Sequence, residues 1–329
     1  MQSIEKLALV RASKLYKDLE PKQLPIVYHP IYNISFCGIE RCHPFDSRKW
    51  GRVHDILVES GMIEEGQTVM PSEASNSDLR VVHTSLYLSS LNCPCHVAKV
   101  VEVAPVALIP PCIIRRVLLK PFRYHTGGTI LAARLALEHG WAINIGGGFH
   151  HASGNSGGGF CVYADISLAI NFLLLNQLIG KAMIGNGHEN DFYGDRRVYI
   201  MDMFNSHIYP HDSRARRAIT RAVKLHIDIQ DGEYLTLLSS NLKAALSQFR
   251  PDIIVYNAGT DCLQYDPLGL LSITPKGIRK RDEIVFKMAR ARKIPIVMLL
   301  SGGYMPDTHE VIAKSIMNLF NKKLIGAVS

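Results

Sequence analysis

Three short apolar runs end in side chains that can move protons, hold a cation or donate to a developing charge. They are Ile145-Gly146-Gly147-Gly148-Phe149-His150-His151, Tyr256-Asn257-Ala258-Gly259-Thr260-Asp261 and Leu300-Ser301-Gly302-Gly303-Tyr304. Each sets a polar side chain just past a glycine turn, where the backbone can approach a ligand closely. Adjacent histidines serve as a proton-transfer pair when acids behind them set their tautomers. A carboxylate at the second run's end can hold a metal, and a tyrosine hydroxyl at the third can donate to an oxyanion. Each signal also has a plain reading on its own: a His-His pair can be structural or a surface feature, and Gly-Gly-Tyr is by itself a turn. Convergence of all three on one sheet edge is what would make a site.

The elements that must position them read as alternating helices and buried strands. An amphipathic stretch spans Ile4 to Leu19, before Pro21, and Ile26-Val27-Tyr28 follows as an early strand. Asp46 is placed as the N-cap of a helix running to Gly61. A helix from Thr129 to His139, closed by Gly140, leads into the strand Trp141 to Ile145. Helices near Ile166 to Leu178, Tyr234 to Phe249 and Ile278 to Arg292 precede the apolar runs 181–184, 253–256 and 294–300, and Val198 to Met203 is a further strand. Short strands that are apolar throughout, alternating with helices, predict an α/β fold with a mostly parallel sheet and helices on both faces. Ligands in such folds bind beyond the carboxyl ends of the strands.

The 329 residues are 47% apolar and 20% charged, a globular composition, and the +8 formal charge is moderate. No interleaved basic and aromatic stripe is present, so direct nucleic-acid binding is not expected. The oiliest run, Val103 to Ile114, is interrupted by Pro105, Pro110 and Pro111 and is too short for a membrane span. The seven cysteines lack framework spacing and the N-terminus lacks a secretory core, which together indicate an intracellular chain with reduced thiols. Cys93-Pro94-Cys95 has no partners at zinc-knuckle spacing and reads as incidental.

Together with the three runs, Pro25 to Tyr28, Glu40 to Asp46, Val81-Val82-His83-Thr84, Thr126-Gly127-Gly128-Thr129, Trp141 to Ile145 and Gly158-Gly159-Phe160-Cys161 carry a family resemblance. From Pro25 to Ile325 the chain resembles the zinc-dependent histone deacetylases of class IV, the histone deacetylase 11 type. The resemblance implies the arginase/deacetylase α/β fold, with residues 1–24 as an N-terminal helical extension and 25–325 as a single domain. It implies hydrolysis of acetyl or long-chain fatty acyl groups from lysine in histones or other proteins. It also implies chromatin-regulatory partners and a place in the nucleus and cytoplasm. By position, His150 and His151 resemble the tandem general acid/base pair, Asp261 a zinc ligand, Tyr304 the oxyanion donor, and Gly159 and Phe160 the substrate tunnel. The implied Zn²⁺ would polarise the amide carbonyl and lower the pKa of a bound water toward about 7.

At one place the chain departs from the resemblance. The family's next metal-bearing strand reads as an apolar run, then Asp-x-Asp-x-His, then Gly-Asn-Gly. Here Lys181-Ala182-Met183-Ile184 passes directly into Gly185-Asn186-Gly187-His188-Glu189. The segment holding two further zinc ligands is missing, so zinc binding is expected to be weak or absent and activity impaired, and the alternative is a catalytically inactive interaction protein of the same fold. His188, four residues past Ile184, is the substitute ligand to consider. The remaining motifs have bland readings. His207 and His211 are separated by Pro210, Gly154-Asn155-Ser156-Gly157-Gly158 lacks the strand-turn-helix setting of a nucleophile elbow, and the basic set Lys276, Arg279, Lys280, Arg281, Lys287, Arg290, Arg292 and Lys293 is a solvated helix face.

Overall fold

Runs such as Trp141–Asn144, Ile253–Asn257 and Ile296–Leu299 bury every residue, which requires pairing on both edges and cover on both faces. In the computed structural model, which describes residues 3–36, 38–185, 190–208 and 216–326, they lie adjacent in a seven-stranded sheet. The strands are β1 (Ile26–Val27), β2 (Trp141–Asn144), β3 (Ala182–Gly185), β4 (Val198–Asn205), β5 (Arg221–Leu225), β6 (Ile253–Asn257) and β7 (Ile296–Leu299). Their order is β1-β2-β7-β6-β3-β4-β5 and every pairing is parallel, so the sheet is wholly rather than mostly parallel. Helices cover both faces, and one apolar core extends from Val10 to Ile325.

Several boundaries differ from those read in the sequence. The first helix, α1 (Ser3–Ala12), stops well short of Leu19, although Leu15 beyond it is buried in the common core. Helix α2 (Lys49–Glu59) starts three residues after Asp46, whose carboxylate instead accepts the Arg48 N–H at 3.0 Å in a turn ahead of the helix. Between them and the large helix come α3 (Asn76–Leu79), α4 (Ser85–Ser90), α5 (Pro94–Val101) and α6 (Pro111–Ile114). Helix α7 (Lys120–His139) begins nine residues before Thr129, and Gly140 closes it with φ +79° as expected. Gly127 and Gly128 lie inside this helix rather than before it. A Cβ on Gly128 would sit 1.9 Å from the Tyr32 hydroxyl, so the glycine is selected by close packing and not by a turn.

A π-helical turn at Arg115–Leu119 joins α6 to α7. Pro121, which has no N–H to donate to the carbonyl four residues back, gives the reason for the wider turn just ahead of it. Among the described residues, further α-helices are α8 (Asp165–Leu175), α9 (Asp231–Gln248), α10 (Pro275–Ala291) and α11 (Thr308–Asn321). The edge strand β5 alternates exposed Ala222 and Lys224 with buried Val223 and Leu225, a half-buried pattern unlike the central strands.

β3 occupies the middle of the sheet. It pairs four residues with β6 on one side and four with β4 on the other, ending opposite Met201 and Tyr256. β4 continues past that level to Asn205, paired with β5. A cavity of about 40 Å³ lined by Met183, Gly185, Met201, Met203 and Tyr256 lies beside the strand end. A Cβ on Gly185 would meet Tyr256 Cδ2 at 3.6 Å and the Val255 carbonyl at 3.9 Å, ordinary contacts. Gly185→Ala is therefore expected to stabilise the fold by about 0.5–1 kcal/mol, by restricting the unfolded chain and filling space. An unchanged or lowered urea midpoint would contradict this packing.

Candidate functional site

β2, β7 and β6 are neighbours, and parallel pairing delivers the three chemistry-bearing loops to one edge of the sheet. The loop after β2 is held from below by Asp165, the first residue of α8. Its carboxylate is buried and accepts the Gly148 and Phe149 N–H groups, each at 2.8 Å, and the Thr129 hydroxyl at 2.5 Å. Burial raises its pKa, while those three donors pull it back down. His125, fully buried against Tyr32 with ring centroids 3.9 Å apart, accepts the Gly147 N–H at 3.2 Å. His83 accepts the Ala164 N–H at 3.0 Å, immediately before Asp165. Asp165 thus grips the backbone that carries the histidine pair.

On this support His150 and His151 stand with ring centroids 4.1 Å apart. His150 Nδ1 lies 2.8 Å from the Asn257 amide and 3.1 Å from the Ser301 hydroxyl. Ser301 Oγ also reaches the Gly148 carbonyl at 3.0 Å, so the loops after β2 and β7 are cross-linked by one hydroxyl. The neighbouring Gly302 lies against Asp261: a Cβ there would come within 2.7 Å of Asp261 Oδ2. The histidine pair and Asp261 accordingly flank the same Ser301-Gly302 dipeptide.

Buried cations set the charge balance under these loops. Lys49 of α2 is fully buried and donates to the carbonyls of Ser301 and Gly302, the latter at 2.9 Å. Burial brings its pKa down to about 7 against the upward pull of Asp261 and Asp266. Arg281 is also buried, paired with Asp282 at 2.8 Å and donating to the carbonyls of Ala258 and Gly259. It braces the loop after β6, so it is not part of the solvated basic face; Lys276, Arg279 and Lys280 are exposed as expected. The Asp261 carboxyl is raised by burial and held back by Lys49 and Arg281, with the Asp202 charge opposing them. Asp266, pushed up to about 6 by burial and by Asp261, accepts the Tyr304 N–H at 2.8 Å and fixes that residue's backbone.

Phe160 is buried among aromatic rings, 4.8 Å from His43, 5.3 Å from Phe45 and 5.4 Å from Phe122, and Phe45 meets Tyr304 edge-on at 6.0 Å. Gly159 donates its N–H to Glu102 at 3.2 Å. The Gly154–Gly158 segment forms tight bridges between Ser153 and Ser156 and between Gly158 and Cys161, not a nucleophile elbow. Cys93 and Cys95 are exposed and free, as are Cys42 and Cys112. His188 and His211 lie outside the described residues. Lys49, His125, Asp165, Asp266 and Arg281 were not singled out as site residues by sequence reasoning. The available signal was a lone charged residue inside an apolar stretch, as at Asp165 between Ala164 and Ile166.

Among the described residues no three His, Cys, Asp or Glu side chains form a group able to hold a metal ion. With Asp261 as the one carried-over ligand among them, the described residues do not fit a zinc site.

A wholly parallel sheet with polar loops gathered on its carboxyl edge defines an α/β protein of the arginase/deacetylase kind. The fold superposes on the crystal structure of the HDA15 HD domain with a TM-score of 0.72 at 17% identity, covering 92% of this chain and 89% of that one. Residues 43–320 match the histone deacetylase domain. The sequence is 53% identical over 320 residues to histone deacetylase 2 of Arabidopsis thaliana, covering 95% of this chain and 83% of that protein. It is 26% identical over 318 residues to histone deacetylase 8 of Xenopus tropicalis, covering 88% and 82%. The chain belongs to the histone deacetylase family.

The buried histidines under the site give a pH signature. Burial lowers His83 from an ordinary 6.5 to about 4 and His125 from 6.5 to about 3. Below about pH 6.5 the unfolded chain takes up protons that the folded chain does not, so stability is lost as pH falls through that value toward about 4. Each histidine contributes a slope approaching about 1.4 kcal/mol per pH unit. Urea midpoints measured from pH 7 to pH 4.5 should fall steeply, and a flat profile would contradict neutral, buried imidazoles.

Proposed function

We propose that this chain is a lysine deacylase of the class IV type whose hydrolytic step is impaired. The observation that carries this reading is a set of site loops in which His150 Nδ1 meets Asn257 and Ser301, in a chain whose sequence passes from Ile184 directly into Gly185-Asn186-Gly187. In this reading His150 and His151 are the general acid/base pair, passing a proton toward the leaving lysine amine. Tyr304 donates to the tetrahedral oxyanion, and Gly159 and Phe160 form the wall along which an acetyl or longer acyl group lies. The aromatic cluster around Phe160 and the backbone anchor of Tyr304 on Asp266 support those roles.

Asp261 is the one zinc ligand carried over from the resemblance, and no step is derived through zinc because the described donor set does not fit it. The missing Asp-x-Asp-x-His between Ile184 and Gly185 accounts for that misfit. Residues 25–325 are taken as the catalytic domain and 1–24 as its helical extension. The substrates are acylated lysine proteins, histones among them, met in the nucleus or cytoplasm alongside chromatin-regulatory partners. A second reading, an inactive deacetylase-fold interaction protein, is favoured by the same deficit of ligands.

Mass spectrometry of acetylated and fatty-acylated lysine peptides tests the assignment. The full chain, supplied with zinc, should turn over orders of magnitude more slowly than a version with Asp-x-Asp-x-His reinserted after Ile184. In the reinserted chain Tyr304→Phe should cost about 10²–10³ in rate, the effect of one oxyanion donor. Equal turnover by both chains would overturn the impairment, and a folded but inert reinserted chain would favour the interaction protein.

A further inference from the structure

The segment from Val103 to Ile114 is apolar throughout, yet only part of it is used by the core. Val103, Val106, Ile109 and Ile114 are buried, whereas Leu108 is 88% exposed and Ile113 is 38% exposed. Pro105, Pro110, Pro111 and Cys112 are exposed between them. The buried residues are anchors and the prolines fix the backbone, so the ledge presents its outward side chains without a cost of ordering.

Basic residues flank this ledge at both ends, with the acid Glu102 between Lys99 and Val103 accepting the Gly159 N–H. Lys99 precedes it, Arg115 and Arg116 follow it in the π-helical turn, and all three are exposed. No Asp or Glu occurs from Val103 to Leu137. Beside the ledge a recess of about 380 Å³ is lined by Arg80, Arg115 and Arg123 against one acid, Glu73. Among the described residues no helix is long and apolar enough to cross a membrane, so attachment through this face would be peripheral.

We propose that the Val103–Ile114 ledge and its arginines form a docking surface for anionic phospholipid membranes. Leu108 and Ile113 enter the acyl boundary while Arg115 and Arg116 meet the phosphates, the pairing of apolar tip and basic rim that interfacial binding uses. A second copy of the chain is a poorer occupant, because a symmetric contact would set Arg115 and Arg116 against themselves. The face adjoins the candidate tunnel, since Glu102, immediately before the ledge, holds the Gly159 N–H. The proposal stands on the surface alone and does not depend on whether the site hydrolyses anything.

Co-sedimentation of the full chain with vesicles tests it. The protein should bind vesicles of phosphatidylcholine mixed with phosphatidylserine, release with added salt, and ignore phosphatidylcholine alone. Arg115→Gln with Arg116→Gln should weaken binding by roughly twenty-five-fold, taking about fivefold for each basic residue at the surface. Leu108→Glu with Ile113→Glu should abolish binding, and Arg279→Glu on α10 should leave it unchanged. All these positions are exposed, and retained melting temperatures would establish that the variants fold. Failure to bind anionic vesicles would overturn the proposal, as would binding indifferent to the ledge variants. So would a wild-type dimer that Leu108→Glu with Ile113→Glu converts to monomer.

Discussion

The carboxylate of Asp165 is the constraint on which the site depends. Two backbone N–H groups and one hydroxyl converge on it in a space closed to water, and none of those donors has a solvent alternative. An unpaired buried donor costs about 1–3 kcal/mol, so the turn after β2 is fixed by satisfaction of polar groups and not by its glycines alone. The position of His150 and His151 follows from that turn. Through the Ser301 hydroxyl, which reaches both His150 and the Gly148 carbonyl, the position of the third loop follows as well.

Electrostatics beneath the loops is set by two buried basic side chains. Lys49 and Arg281 are buried with their charges turned toward the loop carbonyls and the Asp261 carboxylate. Buried cations are tolerated where acceptors and counter-charges surround them. Here Arg281 is paired with Asp282, and Lys49 and Arg281 hold back the rise in pKa that burial imposes on Asp261.

The parallel architecture was legible because each central strand is a short apolar run preceded by a helix with a clear stop, Gly140 being the plainest. β5 is harder to read because its alternation is that of an exposed edge, and α7 extends nine residues ahead of Thr129, through Gly127 and Gly128. Periodicity and propensity describe single elements, whereas those two glycines are explained by Tyr32 and Ser72 from distant parts of the chain. The same limit applies to the site. His150, His151, Asp261 and Tyr304 stand at strand ends and could be named from the pattern. Asp165, His125 and Lys49 act by reaching across the fold, and Arg281 looked like its exposed neighbours on α10 until its partners were known.

The sequence diverges from the class IV resemblance after Ile184, which passes directly into Gly185-Asn186-Gly187. Whether that divergence removes the metal is decided by titrating zinc into the purified, metal-stripped full chain by calorimetry, with the metal content of untreated protein measured alongside. Far less than one tightly held zinc per chain is the expected result, with weak heat that does not saturate stoichiometrically. One zinc per chain, tightly bound and present on purification, would contradict the account.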